Sequence, residues 1–250
     1  MIEVQAVSKV FHTESGQQVL AVKDIQLEIG HQEFVCLVGP SGSGKSTLLR
    51  LMEGLTEPTE GKVRVFGEEV RGPRNDAAMV FQEYSLMPWR TVLDNVTFGL
   101  ELRQVKRVQQ KEQAMALLQR FGLSDFAHCL PHELSGGMKQ RAAIARALAV
   151  SPSILYMDEP FGALDAYTRY QMQQDLIEYW VADKRTIVFV THSVEEAVFL
   201  ATRVVLMSPH PGEIVAEYTI DLPYPRDRWC DKFGAYFKEI LQRLDEVSRR

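Results

Sequence analysis

Two stretches hold residues whose types and order suit phosphate chemistry. The first is Gly39-Pro40-Ser41-Gly42-Ser43-Gly44-Lys45-Ser46-Thr47. Its glycines let main-chain N–H groups curl around phosphate oxygens, where a Cβ would obstruct them. The run fits GxxxxGK[ST] throughout, which lets Lys45 reach β and γ phosphates and the Ser46 hydroxyl bind Mg²⁺. A helix starting here directs its positive end at the same anion. A glycine-rich turn can match by accident. This one, however, lies between an apolar run, Phe34 to Val38, and the helical spacing of Leu48, Leu51, Met52 and Leu55. That is the context the motif demands, and nucleotide binding is expected.

The second stretch is Ile154-Leu155-Tyr156-Met157-Asp158-Glu159, an apolar strand ending in two carboxylates. Asp158 at a strand's C-terminal end can meet a metal held by Ser46. Glu159 is then the candidate general base for water attacking a γ-phosphate. A strand ending in a solvated acidic turn is the other reading of these residues taken alone.

These groups need elements to position them. Ile2, Val4 and Ala6, then Val19 and Ala21, then Ile25, Leu27 and Ile29 alternate loosely, which predicts short antiparallel strands. Phe34 to Val38 predicts a buried parallel strand, and the helix from Ser46 should stop at Gly54. Val63 with Val65, and Met79 to Phe81, predict strands. Thr91 with Asp94 makes a capping-box-like start for a helix over 92–103. Another helix is expected over 106–121, closed by Gly122, and a third follows Ser135 as its N-cap. Next come a strand at 154–157, a helix over 165–182, a strand at 186–190 and a Ser193/Glu196 cap. Val204 to Met207 and Ile214 to Ile220 predict closing strands. Phe233, Phe237, Ile240, Leu241, Leu244 and Val247 mark one face of a tail helix. Alternating strands and helices predict an α/β fold with a mainly parallel sheet. The helical stretch 91–150 interrupts that alternation and reads as an insertion. One domain is expected over 1–220, with a helical extension over 221–250 packed on or near it.

The 250 residues, 46% apolar and 24% charged, suit a soluble domain with a full core. A net charge of −5 gives no reason to expect a nucleic-acid partner. Cys36, Cys129 and Cys230 form no CxxC pair, which argues against a zinc site or disulfide framework. No stretch approaches the roughly 18 apolar residues of a membrane span. The start MIEVQAVSKVF lacks the apolar region of a secretory signal. Work at a membrane would therefore require partner proteins.

The run Leu134-Ser135-Gly136-Gly137-Met138-Lys139-Gln140-Arg141 resembles the signature of ABC-transporter ATPases, usually written LSGGQ. Ser-Gly-Gly before a helix is also a routine N-cap, but here it stands between the two phosphate motifs in the family's order. The resemblance covers nearly the whole chain and weakens after about residue 220. It implies a P-loop NTPase (RecA-like) core with a parallel sheet, an N-terminal antiparallel β subdomain and an inserted helical subdomain bearing the signature. It also implies that Gln82 in VFQEYSLMPW touches Mg²⁺ and the water. Phe11 would stack on adenine, with an ordinary buried strand phenylalanine as the other reading. Ala163-Leu164-Asp165 looks like the D-loop, and His192 like the histidine that contacts the γ-phosphate. Met138 departs from the family's commonest glutamine; the helix would still begin at Ser135 and Gly136, so phosphate contact should survive. Methionine followed by a basic residue and QR is similar to the nitrate, sulfonate and taurine importer ATPases. The runs MVFQEYSLMPWRTVLDNV, DEPFGALDAYTR and MSPHPGEI resemble that group too.

Ser135 to Gly137 would form a second backbone-donor site that brings neither base nor metal ligand, a half-site needing a complement. The resemblance implies that two copies pack head to tail, each closing its signature on the other's ATP and Mg²⁺. The expected function is ATP hydrolysis in an importer, energising uptake of a small solute such as an organosulfonate, nitrate or a similar anion. Its partners would be a second copy, integral membrane permease subunits and, indirectly, an extracytoplasmic solute-binding protein. The chain would lie peripherally on the cytoplasmic face of the inner membrane. A soluble non-transport ABC ATPase stays open as a reading, as does the ATPase of an exporter or lipoprotein-release system. His12, His31, His128, His132 and His210 show no ligand spacing and read as surface or structural. Lys139, Arg141 and Arg146 read as solvated or paired residues of the signature helix.

Overall fold

The structure, a computed structural model, describes residues 1–13 and 16–249. In chain order the strands and α-helices begin with β1 (Ile2–His12), β2 (Gln18–Ile29), β3 (Phe34–Val38), α1 (Lys45–Glu53), β4 (Glu60–Val65) and β5 (Glu68–Glu69). There follow β6 (Ala77–Val80), α2 (Val92–Leu102), α3 (Arg107–Arg120), α4 (Gly136–Ala149), β7 (Ile154–Asp158) and α5 (Ala166–Ala182). The last are β8 (Thr186–Thr191), α6 (Val194–Leu200), β9 (Arg203–Met207), β10 (Ile214–Thr219) and α7 (Asp231–Ser248). The chain divides into two compact units, Met1–Arg74 with Asp183–Arg250, and Asn75–Ala182.

In the first unit, β2-β1-β4-β5 make an antiparallel sheet. Its two leading strands are longer than the short ones expected, because bulges reset their alternation instead of ending them. Ala6 takes φ 51 and Asp24 φ 45, and the β1–β2 register shifts between Val4 and Val7. A bulge flips which face the following side chains occupy. Ile2 and Val4 are therefore buried, Ala6 turns outward and Val7 takes the core position; on β2, Val22 joins Ile25, Leu27 and Ile29 inside.

The same unit holds β8-β3-β9 as parallel neighbours, with β10 antiparallel to β9. Every residue of β3 and all of Val204 to Met207 are fully buried, as strands covered on both faces must be. Val38 pairs with both Thr191 and Leu206, so all three strands end at one edge and deliver their following loops there. Helix α1 stops where Gly54 adopts φ 85 and its N–H returns to the Arg50 carbonyl at 3.1 Å. At the chain's end, α7 buries Phe233, Ile240 and Val247 and packs on α6.

In the second unit β6 and β7 run parallel, with Val80 opposite Met157. Helices α2, α3 and α4 pack on one another, and α4 also meets β6 and α5. The caps lie where the sequence placed them: Thr91 Oγ1 accepts from the Asp94 N–H at 3.1 Å and Ser135 Oγ from the Met138 N–H at 3.3 Å. No helix among the described residues is long and apolar enough to cross a membrane.

Candidate functional site

The phosphate loop leaves β3 and turns directly into α1. A Cβ at Gly39 would lie 2.6 Å from the Met207 carbonyl oxygen and 2.7 Å from Ser43 Oγ, so only glycine fits the first turn. Gly44, the N-cap of α1, holds φ 76 and offers no side-chain cap. By helix geometry the first-turn amides have no carbonyl four residues back, which makes this end a donor site for an anion. Lys45 is 5% exposed, and its Nζ donates to the carbonyls of Gly39 and Pro40, each at 2.9 Å, and to Ser43 Oγ at 3.4 Å. The ammonium is thus held over the inside of the loop. Ser41 and Gly42 are exposed at the loop's tip; Pro40, Ser46 and Thr47 are half-buried. A cradle of this kind fits a nucleotide's phosphates.

His192 directly follows β8, whose Thr191 pairs with Val38, the last residue before Gly39. The histidine and the phosphate loop consequently leave adjacent parallel strands at the same edge, the end at which open α/β sheets bind ligands. His192 is exposed, and Ser193 behind it caps α6 by accepting from the Glu196 N–H at 3.2 Å. Phe11 is 43% exposed, with the Lys9 ammonium 5.2 Å from its ring centroid. It is not a buried strand phenylalanine. Beside it Val19, its partner across the β1–β2 pair, is 47% exposed, so this end of the hairpin presents an open apolar face.

In the second unit Asp158 ends β7 and is 4% exposed, while Glu159 after it is half-buried with φ 44. Gln82 follows β6 and is exposed. The β6–β7 pairing sends Gln82, Asp158 and Glu159 out from the same end of these two strands. Hydroxyl, amide and carboxylate oxygens, as on Ser46, Gln82 and Asp158, are the hard donors Mg²⁺ takes.

The signature serine and glycines open α4, and Asp165 opens α5. The two helix starts meet at Thr168. A Cβ at Gly137 would lie 2.5 Å from Thr168 Cγ2, and Asp165 Oδ1 accepts the N–H groups of Tyr167 and Thr168 at 3.1 and 3.0 Å. The Thr168 backbone and side-chain hydrogen bonds hold the exposed Asp165 carboxyl below its usual range. Ser135 and Gly136 are exposed, and a Cβ at Gly136 would sit 3.1 Å from the Tyr84 hydroxyl.

Several residues that position this second group carried little sequence signal. Of the two readings for Arg146, solvated or paired, the structure shows the paired one: it donates to the carbonyls of Ser85 at 2.5 Å and Tyr84 at 3.3 Å, tying the segment after Gln82 to α4. Asn95, fully buried, accepts from the Met87 N–H at 2.8 Å and donates to the carbonyls of Met87, Arg90 and Thr91. A polar residue at a helical core position was the available clue. In the first unit the His210 ring lies against Gly42, 3.1 Å from where a Cβ would stand.

Residues 22–162 match the protein family described as ABC transporter. An uncharacterized ABC transporter ATP-binding protein of Methanocaldococcus jannaschii is 50% identical over 249 residues, covering 99% of this chain and 93% of that protein. The nitrate import ATP-binding protein of a Synechocystis strain is 51% identical over 222 residues, covering 89% and 83%. The taurine import ATP-binding protein of Rhizobium johnstonii is 46% identical over 221 residues, covering 88% and 84%. Among solved structures, a dimeric bacterial ABC transporter cassette superposes with a TM-score of 0.79 at 34% identity, covering 88% of this chain and 99% of that one. A dimeric post-hydrolysis cassette bound to ADP and Pi gives the same TM-score of 0.79, at 33% identity over 88% of this chain and 99% of that one.

Proposed function

The chain belongs to the ABC transporter family, and from that premise we propose that it is the ATP-hydrolysing subunit of an importer for a small anion such as nitrate, taurine or another sulfonate. The observation that carries this reading is the glycine cradle from Gly39 to Gly44, with Lys45 held over it and His192 leaving the same sheet edge.

The proposed roles follow the chemistry of each group. Main-chain amides from Ser41 to Thr47 and the Lys45 ammonium grip the β and γ phosphates, and Phe11 stacks on adenine. Ser46, Gln82 and Asp158 would hold Mg²⁺, which when bound offsets the negative charge of the phosphate oxygens. Glu159 accepts a proton from the water that attacks the γ-phosphorus as the bond to the β–γ bridging oxygen breaks. His192 donates to a γ-phosphate oxygen. Ser135, Gly136 and Gly137 of a second copy close on the same triphosphate, with Asp165 beside them; residues 91–150 act as the subdomain that carries this signature. ATP bridging both chains favours the closed pair, and hydrolysis releases it. Integral membrane permease subunits convert that cycle into transport, which puts the chain peripherally at the cytoplasmic face of the inner membrane. An extracytoplasmic binding protein would deliver the solute.

Sedimentation of Glu159→Gln with and without MgATP tests the engine. A nucleotide-dependent shift from monomer to dimer is expected, and a monomer at saturating MgATP would refute it. Reconstitution with the permease in lipid should raise ATPase activity of the unmodified chain, and nitrate, taurine and alkanesulfonate uptake assays then separate the solutes.

A further inference from the structure

The segment between β10 and α7 holds α6 through three side chains, Tyr224, Arg226 and Arg228. Arg226 is 7% exposed, and its Nη1 donates to the carbonyls of Val198 at 2.5 Å and Ala201 at 2.7 Å. Its Nε and Nη2 reach the Leu222 and Ile220 carbonyls, each at 3.4 Å. The Tyr224 hydroxyl donates to the Leu200 carbonyl at 2.7 Å, and the Tyr224 ring lies 4.3 Å from the Arg226 guanidinium. Arg228 stacks 3.8 Å over the Phe199 ring and reaches Glu195 at 3.5 Å. One short strap thus supplies a cation and a hydroxyl to the last carbonyls of α6, which no residue within that helix can satisfy.

Helix α6 has 7 residues, too few to hold its own geometry, so its position is set by what packs on it. His192 stands immediately before it. The backbone on either side of the imidazole is pinned, with Ser193 N–H donating to Thr191 Oγ1 at 3.0 Å and Ser193 Oγ capping α6. A tilt of α6 therefore moves His192. We propose that Arg226 is a positioning residue for ATP hydrolysis: by fixing the C-terminal end of α6 it sets where His192 meets the γ-phosphate. This rests on the reading of His192 given above. It assigns the strap a part in turnover, beyond joining α7 to the body.

The test is ATPase kinetics, MgATP binding and thermal melting of the full chain carrying Arg226→Met, Arg226→Lys, His192→Ala, the His192→Ala/Arg226→Met pair, and Arg243→Ala on α7 as a control. Arg226→Met should lower kcat about tenfold per folded molecule with MgATP affinity unchanged, Arg226→Lys should recover part of it, and Arg243→Ala should match the unmodified chain. In the His192→Ala background, Arg226→Met should cost less than about twofold more, since both changes act on one interaction. An unchanged kcat in Arg226→Met, or a full tenfold further loss in the double variant, overturns the proposal. Normal turnover in His192→Ala would remove the role of His192 and this inference with it. A slow His192→Ala beside a normal Arg226→Met removes this inference alone. Should Arg226→Met fail to fold, Tyr224→Phe, which deletes only the hydroxyl on Leu200, and Arg226→Lys carry the same comparison.

Discussion

Gln82 and Glu159 occupy equivalent positions beyond neighbouring parallel strands, two residues past the Val80–Met157 pair. Their backbones differ, because Glu159 sits at φ 44, a left-handed conformation that costs a residue with a Cβ about 1–2 kcal/mol. The turn is closed by the Gly162 N–H donating to the Glu159 carbonyl at 3.1 Å. A carboxylate kept at a strained position is a mark of a site where aim outranks stability.

Replacing Glu159 with glycine should separate those two demands. Glu159→Gly is expected to raise unfolding free energy by about 1 kcal/mol through relief of the left-handed strain. Turnover should fall by about 100-fold or more with the loss of the proposed base. Chemical denaturation and steady-state ATPase assays read the two effects. A variant that is less stable and still active contradicts both halves.

At the signature, Gly137→Ala places a methyl group 2.5 Å from Thr168 Cγ2. Overpacking of this kind should cost about 1–3 kcal/mol. Thr168→Ser removes the obstructing methyl, so the Gly137→Ala/Thr168→Ser pair should regain most of that stability. Failure of the second change to rescue the first would show that the two helix starts are not pressed together at this point.

Asn95→Ala strands the Met87 N–H and the Arg90 carbonyl, and takes one of two donors from the carbonyls of Met87 and Thr91, which keep the N–H groups of Arg90 and Asn95. A loss of about 3 kcal/mol is expected from these groups together. Hydrogen exchange should accelerate between residues 83 and 91 before the rest of the second unit opens. Uniform protection across that segment would locate its anchor elsewhere.

Glu53 lies near the C-terminal end of α1, 7% exposed, and its Oε2 has no hydrogen-bond partner among the described residues. Burial pushes its carboxyl up from 4.5 to about 7. Because the folded-state value is the higher one, the contribution to stability is complete below pH 4.5 and disappears as pH rises through about 7. Glu53→Gln should then match the unmodified chain near pH 5 and exceed it near pH 8 by about 2 kcal/mol, after allowance for partial screening. Denaturation midpoints at the two pH values check it, and a constant difference between them would contradict the shift.

The chemistry was legible in the sequence because it is written in contiguous runs. Gly39 to Thr47, Met157 to Glu159 and Leu134 to Gly137 each combine a motif with its own strand or helix signal, and Thr91, Ser135 and Ser193 cap the helices they were expected to cap. Local hydrogen-bonding options of Gly, Ser and Thr decide those features, so neighbours in the chain suffice to read them. Tertiary structure alone decided the bulges at Ala6 and Asp24, which exchanged inward and outward faces against the simple alternation. It alone turned Arg146 onto the carbonyls of Tyr84 and Ser85, set Thr168 between Gly137 and Asp165, and closed Arg226 over the end of α6. For Arg146 and Arg226 these partners are main-chain carbonyls, many of them far along the chain, and for Gly137 the neighbour is a methyl group. Such groups are carried by almost every residue and leave no mark in the identity of the amino acid that will meet them.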